Sequence, residues 1–345
     1  MVIVMAADAN TQQVTAVVDL VTSTGGRAFV SRGLNRTIIG LVGDVDLFDS
    51  LSLASLPGVA EVMRISAPYK LVSREHHPER STVRVGGVSI GPDSVTLIAG
   101  PCAVETPTQT LEAALMAQQA GATLLRGGAY KPRTSPYAFQ GLGVEGLRIL
   151  ADVREKTGLP IVTEVVEAAD VPTVASYADM LQIGTRNVQN FPLLQAVGDA
   201  GLPVMLKRGM SSTIEEWLMA AEYIAQRGNL EIVLCERGIR TFETATRNTL
   251  DVSAVPVVQR LSHLPVIVDP SHSGGRRDLV VPLTRAAVAA GADGVIVDVH
   301  PHPETALCDG PQALIGEDLS RLAEAVTVMA SATGRPVNGA PALIG

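Results

Sequence analysis

From residue 95 onward, short apolar runs alternate eight times with stretches of helical character. Apolar runs of this length, separated by helices, are typical of parallel strands buried on both faces. The predicted strands are Val95–Ala99, Thr123–Arg126, Ile161–Val165, Met180–Ile183, Val204–Lys207, Ile232–Cys235, Val266–Asp269 and Gly294–Asp298. The predicted helices include Leu111–Gln119, Ile214–Gln226, Leu283–Ala290 and Leu319–Met329. Eight units of about 25–30 residues predict an α/β fold, the (β/α)8 TIM barrel. A doubly wound open sheet is the alternative, but nothing in the chain resembles its glycine-rich dinucleotide turn.

The first 67 residues follow a different order, strand–helix–strand–strand–helix–strand. The predicted elements are strand Val2–Met5, helix Thr11–Thr22, strands Arg27–Ser31 and Thr37–Val42 with a turn at residues 33–35, helix Asp46–Ser55 and strand Val59–Ile65. This is the order of a ferredoxin-like unit. We therefore predict a ferredoxin-like, candidate regulatory domain over residues 1–67, a linker with a short hairpin around residues 86–87 over 68–94, and a catalytic barrel over 95–345.

Composition narrows the class of protein. Hydrophobic residues make up 46% of the chain and aromatic residues only 3%, so the core must consist of Val, Ile, Leu and Ala, as in parallel α/β proteins. A net charge of −8 argues against a nucleic-acid-binding surface. Three cysteines fit a reducing compartment better than a disulfide framework, and no apolar run reaches the ~18 residues of a membrane span. We expect a cytoplasmic protein that binds neither nucleic acid nor membrane.

A charged or reactive side chain follows each of the eight predicted barrel strands. In chain order the strands lead into Cys102, Arg126, Glu164, the segment 184–187, Lys207 with Arg208, Glu236 with Arg237, the segment 269–272, and Asp298 with His300. Active sites of (β/α)8 barrels lie at the carboxyl ends of the strands. We therefore expect these side chains to converge on one cavity.

Two kinds of chemistry separate within this set. The first is the binding of anionic groups, because six converging cations would repel one another unless anions neutralise them. These cations are Arg126, Lys131, Arg133, Arg186, Lys207 and Arg237. The second is metal binding by a thiolate, an imidazole and two carboxylates, from Cys102, His272, Asp298 and Asp309. Mixed sulfur, nitrogen and oxygen ligands suit Mn, Fe, Co or Zn and do not suit Mg or Ca.

Together these residues resemble the metal-dependent 3-deoxy-D-arabino-heptulosonate 7-phosphate (DAHP) synthases, in the type I subgroup with an amino-terminal ferredoxin-like domain. The resemblance covers essentially the whole chain. It rests on segments 99–102 (Ala-Gly-Pro-Cys), 126–135 (Arg-Gly-Gly-Ala-Tyr-Lys-Pro-Arg-Thr-Ser), 182–187 (Gln-Ile-Gly-Thr-Arg-Asn), 207–209 (Lys-Arg-Gly), 235–238 (Cys-Glu-Arg-Gly) and 269–272 (Asp-Pro-Ser-His), and on the Val-His-Pro segment at 299–301 with Asp309. The Lys-Pro-Arg-Thr sequence at 131–134 discriminates best, because the related octulosonate 8-phosphate synthases carry an Ala-Asn-Arg-Ser type loop there.

The resemblance implies condensation of phosphoenolpyruvate with D-erythrose 4-phosphate and release of phosphate, the first step of the shikimate pathway to aromatic amino acids. It implies that phosphoenolpyruvate binds Arg126, Lys131, Arg186, Lys207 and Arg237. The sugar phosphate would bind Arg133, Thr134 and Ser135, and Pro132 and Gln182 belong to the same predicted substrate site. The predicted catalytic residues are Lys131, Glu164 and His272. A divalent metal (Mn, Fe, Co or Zn) at Cys102, His272, Asp298 and Asp309 would polarise the aldehyde. A homo-oligomer, a dimer or a tetramer, and an aromatic amino acid effector are also expected.

Two positions depart from the family pattern. The fourth ligand position usually carries Glu, and here it is Asp298, one methylene shorter. We expect a direct but altered ligand and a more easily chelated metal. Phe29 lies on a strand face where a polar effector-binding residue would be expected, which leaves feedback inhibition by Tyr or Phe open.

Alternatives remain for one cysteine and for the function. Cys308, next to Asp309, is predicted to approach Cys102 closely enough for a disulfide, and a spare small residue is the competing interpretation. The competing functions are a related phosphoenolpyruvate-dependent sugar-phosphate synthase and a catalytically weak regulatory homologue.

Overall fold

The computed structural model describes residues 1–32, 37–64 and 67–339. These residues divide into two units, Met1–Pro68 and Tyr69–Gly345. The smaller unit contains a four-stranded antiparallel sheet, and the larger one a closed barrel of eight parallel strands. The predicted fold class is therefore confirmed. Among the described residues, no helix is both long and apolar enough to span a membrane.

The smaller unit is ferredoxin-like. Its elements are β1 (Val2–Met5), α1 (Thr11–Ser23), β2 (Arg27–Arg32), β3 (Thr37–Val42), α2 (Val45–Ser50) and β4 (Val59–Met63), and the sheet order is β2-β3-β1-β4. Asn10 caps helix α1 and forms a capping box with Gln13, and the helix buries one valine face against the sheet. The predicted turn at 33–35 and the predicted strand end at Ile65 lie outside the described residues.

The second helix of this unit is shorter than predicted. Helix α2 ends at Ser50 instead of continuing to Ser55, and a separate 3-10 turn follows at Leu53–Ser55. Ser52 between them has a φ of +49°, a left-handed conformation that interrupts helical hydrogen bonding. Periodicity in the sequence does not reveal such a local break.

The larger unit begins with a hairpin and continues into the barrel. The hairpin strands are β5 (Val83–Val85) and β6 (Val88–Ile90). The barrel strands are β7 (Thr96–Gly100), β8 (Leu124–Arg126), β9 (Ile161–Glu164), β10 (Met180–Ile183), β11 (Val204–Lys207), β12 (Ile232–Glu236), β13 (Val266–Val268) and β14 (Gly294–Asp298). The helices are α3 (Pro107–Gln119), α4 (Val144–Thr157), α5 (Val171–Ala175), α6 (Phe191–Asp199), α7 (Ile214–Ala225), α8 (Ala254–Leu261), α9 (Pro270–Gly274), α10 (Arg277–Ala289) and α11 (Gly316–Ala332).

The prediction for α10 started too late. It placed the first residue at Leu283, whereas the helix begins at Arg277 and contains Pro282, a residue that usually disfavours a helix interior. Val280 and Val288 on this helix are buried in the cluster that also contains residues of α11. Tertiary packing therefore overrides the local cost of the proline.

Successive side chains along a barrel strand belong alternately to two apolar clusters, one between the strands and the helices and one inside the barrel. On β7, Leu97 packs outward with the helices, whereas Ile98 packs inward with residues from the first half of the other strands. The hairpin residues Val83, Val85 and Ile90 belong to this inner cluster, so the hairpin closes the amino-terminal end of the barrel. The carboxyl ends of the strands are left to form a cavity.

Candidate active site

A cavity of about 520 Å³ lies at the carboxyl ends of the barrel strands. Its wall includes every predicted substrate-binding residue, namely Arg126, Lys131, Pro132, Arg133, Thr134, Ser135, Gln182, Arg186, Lys207 and Arg237. Glu164, His272 and Asp309 also line it. Cys102 and Asp298 are buried next to His272 and Asp309. The volume is in the range of cavities that hold small-molecule substrates.

Cys102, His272, Asp298 and Asp309 form one cluster, with one ligand atom of each within 4.8 Å of the others. The barrel seam brings them together, because β14 pairs with β7 and places Asp298 opposite Gly100, two residues before Cys102. His272 lies on the short helix α9 after β13. Asp309 sits in the loop after β14 with a φ of +53°, a left-handed conformation that aspartate tolerates better than most residues.

The donor set fits a divalent transition metal. Cys102 Sγ lies 3.8 Å from His272 Nε2 and 3.1 Å from Asp309 Oδ2, and His272 Nε2 lies 3.5 Å from Asp309 Oδ2 and 3.6 Å from Asp298 Oδ2. With metal–ligand bonds of about 2.0–2.3 Å, tetrahedral ligand atoms stand about 3.3–3.8 Å apart. These four residues could therefore hold such an ion with small adjustments.

Asp269 orients the histidine of this cluster. Its Oδ2 lies 2.9 Å from His272 Nδ1, and its Oδ1 accepts a hydrogen bond from the His272 backbone N–H at 2.9 Å. A carboxylate on the far nitrogen fixes the imidazole so that Nε2 faces the other three candidate ligands. Burial by itself would lower the pKa of His272, but Asp269 and Asp298 outweigh it and raise the pKa to about 10 in the metal-free protein.

Each carboxylate of the cluster also has a cationic neighbour. Asp298 pairs with Arg126, and the Asp309 Oδ1 atom accepts a hydrogen bond from Arg247 at 3.0 Å. Burial would raise the pKa of Asp309, but His272 and Arg247 hold it far below its usual range. Asp309 is therefore ionised, as metal ligation requires.

Lys131 joins the metal cluster to the cavity. It is 8% exposed, and its Nζ donates to the Cys102 carbonyl oxygen at 2.9 Å and lies 3.2 Å from Cys102 Sγ. Burial opposes its charge, but the neighbouring cysteine sulfurs raise its pKa above the usual value. The approach needs Gly128, because a Cβ there would lie 2.6 Å from the Cys102 oxygen and 2.7 Å from Lys131 Cδ.

Two of the six predicted cations already have a carboxylate partner in the protein. Arg126 pairs with Asp298, and Lys207 Nζ lies 2.5 Å from Asp269 Oδ2. Arg237 is 5% exposed, and among the described residues no carboxylate lies within ion-pair distance of it. Burial accordingly lowers the pKa of Arg237. The repulsion among the six cations that was inferred from the sequence is thus partly compensated by carboxylates of the protein. An external anion is expected to bind near Arg237.

Arg126 provides a second indication that the cavity binds an anion. It is 3% exposed, and its Nε atom has no hydrogen-bond partner among the described residues. Buried guanidinium groups are normally saturated with acceptors. An anionic group in the cavity would supply the acceptor.

The loop after β8, with Arg186 from the segment after β10, contributes a further part of the cavity wall. Arg133 contacts Cys308 Sγ, and Arg186 lies 3.4 Å from Thr134 Oγ1. Thr134 and Ser135 line the cavity beside these guanidinium groups. The hydroxyls lie beside two guanidinium groups that have no carboxylate partner in the described part of the chain, and such a surface is suited to a phosphate.

Glu164 and Gln182 lie side by side because β9 pairs with β10 at these positions. Gln182 Nε2 donates to Glu164 Oε2 at 3.3 Å. Glu164 Oε1 packs so closely against Gly184 that a Cβ there would lie 2.0 Å from it. The carboxylate is therefore held in one place, facing the cavity.

Several strand-end residues do not reach the cavity wall. Arg208 pairs with Glu236 at 2.9 Å and with Asp251 at 2.9 Å, so both strand ends support the wall from behind. His300 is buried, with Nε2 3.4 Å from Glu105, and His302 is exposed beside Glu304. Position at a strand end alone therefore does not identify a site residue.

The structure adds residues that the sequence argument missed. Arg240, Arg247 and Asn248, from the loop after β12, line the cavity. Asp269 and Gln312 contact metal-cluster residues. Asp269 could have been noticed in the Asp-Pro-Ser-His segment, but Arg247 and Gln312 lie in loops without a regular pattern.

Cys308 lies within reach of Cys102, as predicted, although the three cysteines are free thiols. The two Sγ atoms are 3.7 Å apart, about 1.7 Å more than a disulfide bond. The hydrogen bond from Cys102 lowers the pKa of Cys308 to about 7. Peroxide would convert the Cys308 thiolate to a sulfenic acid. The Cys102 thiol would then attack the sulfenic sulfur, which forms a disulfide and releases the hydroxyl group as water.

We expect peroxide to inactivate the metal-free protein faster than the metal-loaded protein, with activity measured after Mn²⁺ is added back, because a bound metal occupies Cys102. Dithiothreitol should restore activity, and Cys308→Ser should be inactivated several-fold more slowly. Cys235→Ser, at a buried cysteine inside the barrel, is the matched control and should behave like the parent. Equal inactivation rates for Cys308→Ser and the parent would refute the disulfide.

Comparisons with known proteins agree with this geometry. Residues 70–334 match the model of the DAHP synthetase I family, and residues 1–67 match the DAHP synthase ferredoxin-like domain. The chain is 52% identical to a phospho-2-dehydro-3-deoxyheptonate aldolase of Thermotoga maritima, over 98% of this chain and 100% of that protein. A crystal structure of the Thermotoga maritima enzyme, also called DAHP synthase, superposes with a TM-score of 0.89 at 51% identity, covering 98% of this chain and 99% of that one. A 2-dehydro-3-deoxyphosphooctonate aldolase of Syntrophotalea carbinolica is 37% identical over 68% of this chain and 90% of its own length.

Proposed function

The chain belongs to the DAHP synthetase I family, and from this premise we propose that its barrel cavity condenses phosphoenolpyruvate with D-erythrose 4-phosphate. The products are DAHP and inorganic phosphate, so the protein is a transferase of the aldol-condensation type. The observation that carries the proposal is a cavity with two cationic walls next to a cluster of metal ligands. Two anionic substrates account for the cations, and an aldehyde electrophile accounts for a Lewis acid.

Phosphoenolpyruvate fits the wall that contains Arg126, Lys207 and Arg237. Its carboxylate and phosphate would supply the acceptor that Arg126 Nε lacks and the anionic partner that buried Arg237 lacks among the described residues. Lys131 and Arg186, on the same cavity, would complete the anion site. These contacts orient the enol so that C3 faces the centre of the cavity.

Erythrose 4-phosphate fits the wall formed by the loop after β8. Arg133, Thr134 and Ser135 would bind its phosphate, and its aldehyde would then extend toward the metal cluster. Cys102, His272, Asp298 and Asp309 would hold a divalent metal, which when bound supplies a Lewis acid for the aldehyde oxygen. We propose Mn, Fe, Co or Zn, since one ligand is a thiolate.

The reaction needs one new carbon–carbon bond, one water and three proton movements. C3 of phosphoenolpyruvate bonds to the aldehyde carbon, water adds to C2, and the C2–O bond to phosphate breaks to leave a ketone while the hydroxyl proton of the C2 hemiketal passes to the departing phosphate. Lys131 Nζ, protonated beside Cys102, would deliver a proton to the oxygen of the former aldehyde. Glu164, fixed by Gln182 and facing the cavity, would position the water and accept its proton.

The related octulosonate 8-phosphate synthesis is the competing function. It is disfavoured by the lower identity of that relative and by the Lys-Pro-Arg-Thr sequence at 131–134. A catalytically weak regulatory homologue is also disfavoured, because the cavity keeps both cationic walls and the full ligand cluster.

The test is phosphate release from phosphoenolpyruvate with either erythrose 4-phosphate or arabinose 5-phosphate, with and without added Mn²⁺. We expect kcat/KM with erythrose 4-phosphate to exceed that with arabinose 5-phosphate by about 10²-fold or more, a ratio that a site built for one sugar phosphate can reach. Preference for arabinose 5-phosphate would establish the competing function. Absence of phosphate release with both sugars would favour the regulatory homologue.

The assembly and regulation are part of the proposal. We propose a homo-oligomer, a dimer or a tetramer, in a reducing cytoplasmic setting consistent with three free cysteines. An aromatic amino acid is the proposed effector, with the ferredoxin-like unit as its binding domain. Phe29 is 54% exposed on the open face of the sheet, so any effector contact there would be apolar.

A further inference from the structure

Gln312 is a buried amide that connects the two carboxylates of the metal cluster. It bonds directly to Asp298 and is linked to Asp309 through Arg247. It is 2% exposed and lies in the 3-10 turn that follows Asp309. Its Nε2 donates to Asp298 Oδ2 at 2.6 Å, and its Oε1 accepts from the Arg247 guanidinium at 3.0 Å. The same Arg247 nitrogen donates to Asp309 Oδ1 at 3.0 Å.

The chemistry of these neighbours fixes the orientation of the amide. Arginine can only donate hydrogen bonds, so the Gln312 oxygen must face Arg247. The Asp298 carboxylate, which is paired with Arg126, accepts hydrogen bonds, so the Gln312 nitrogen must face Asp298. A side chain at this position must therefore be neutral and must carry an acceptor at one end and a donor at the other, which an amide provides.

The hydrogen bond from Gln312 matters because it holds Asp298 Oδ2, the oxygen that faces His272. The Oδ1 of Asp298 is engaged by Arg126, whereas its Oδ2 lies 3.6 Å from His272 Nε2, on the metal side. Gln312 holds this same Oδ2. A shorter side chain reaches the ion only from a narrow range of torsion angles, so the aim of Oδ2 decides whether Asp298 ligates.

We propose that Gln312 is a positioning residue that aims Asp298 Oδ2 at the metal and couples Asp298 to Asp309 through Arg247. The inference rests on the proposed function, because it concerns the metal that this condensation uses. Carboxylate ligands and their hydrogen-bond partners act together, and loss of such a partner typically weakens metal binding by about 10–100-fold. Gln312 itself touches neither substrate nor metal in this arrangement.

The test uses Gln312→Met, which keeps the length of the side chain and removes both hydrogen bonds. Mn²⁺ affinity is measured by competition with a chelator, and the visible spectrum is recorded with Co²⁺ in place of Mn²⁺. We expect a 10–100-fold weaker affinity and altered Co²⁺ absorption bands. Gln259→Met is the matched control, because Gln259 is a half-buried amide bonded to the Gly291 carbonyl on the outside of the barrel. It should leave both readouts unchanged.

A double-mutant cycle separates positioning from a general structural role. In an Asp298→Ala background, Gln312→Met should lose most of its effect on Mn²⁺ affinity, because its direct partner is gone and only the indirect path to Asp309 through Arg247 remains. A full additional loss in that background would overturn the proposal, as would wild-type affinity and spectrum for Gln312→Met alone. Melting of the metal-free variants reports any folding defect. If the Met variant does not fold, Gln312→Asn, whose amide cannot reach both partners, goes through the same cycle with the same expectations.

The outcome for the proposed function is read separately, from the unsubstituted protein. If that protein does not form DAHP from the two substrates, the proposed function fails, whatever the metal affinities are. If it forms DAHP and the Gln312 variants bind metal normally, only the positioning role fails.

Discussion

Replacement of Lys131 by methionine is expected to lower kcat/KM by about 10³-fold or more, in the upper part of the range for loss of a general acid. Methionine matches the lysine stem in length and removes only the charge and the donors. Three contributions are lost together: a cation of the anion site, the proposed proton donor, and the hydrogen bond to the Cys102 carbonyl oxygen at 2.9 Å. Lys156→Met, on the exposed end of α4, is the matched control and should retain parental activity.

The kinetic pattern of Lys131→Met distinguishes these contributions. Loss of an anion contact alone would raise KM for phosphoenolpyruvate and leave kcat near the parental value, whereas loss of the proton donor lowers kcat. We expect both changes, with the larger part in kcat. Activity within tenfold of the parent would rule out Lys131 as the proton donor.

Removal of the metal is expected to have an effect of similar size. Treatment with a chelator should lower kcat by about 10³-fold, since Lewis-acid stabilisation of the developing alkoxide is worth several kcal/mol. Added Mn²⁺, Co²⁺, Fe²⁺ or Zn²⁺ should restore activity, and Mg²⁺ should not, because a thiolate is among the ligands. Cys102→Ser should abolish metal retention, whereas Cys235→Ser, buried in the barrel core, should retain it. Full activity after verified removal of all metal would contradict the assigned cluster.

The length of the Asp298 side chain refines this expectation. If the short carboxylate limits metal affinity, Asp298→Glu should slow the loss of metal to the chelator. The structure adds a cost, because the longer side chain must displace either Arg126 or the Gln312 amide from its present contact. We therefore expect tighter metal binding together with a changed kcat. Unchanged metal retention and unchanged activity would show that Asp298 is not a direct ligand.

The positions of the barrel strands follow from the sequence to within one or two residues. Apolar runs such as Met180–Ile183, Val204–Lys207 and Gly294–Asp298 coincide with the observed strands, because a strand buried on both faces must be apolar over its whole length. Helix ends were less predictable, as the early start of α10 shows. Local signals such as proline compete there with packing against α11.

The sequence also identified the chemical types at the site but not their pairing. It placed Arg126 with the substrate cations and Asp298 with the metal ligands, 172 positions apart, and the barrel seam brings the two into one ion pair. It placed Arg208 and Glu236 among the strand-end residues, and the fold turns them toward each other, behind the cavity wall. A strand end fixes where a residue lies, but its side-chain direction depends on neighbours from other strands.

The sequence by itself predicted the (β/α)8 order, the cationic loop at 126–135 and the four candidate metal ligands, because these follow from the residue types that come after successive apolar runs. Only the tertiary structure decided which carboxylates neutralise which cations and how Asp298 is aimed. Arg247 and Asp309 are 62 positions apart, and Gln312 reaches Asp298 only because the loop after β14 folds back over the strand from which it leaves. Contacts of this kind arise from closing the barrel, and no local pattern in the chain encodes them.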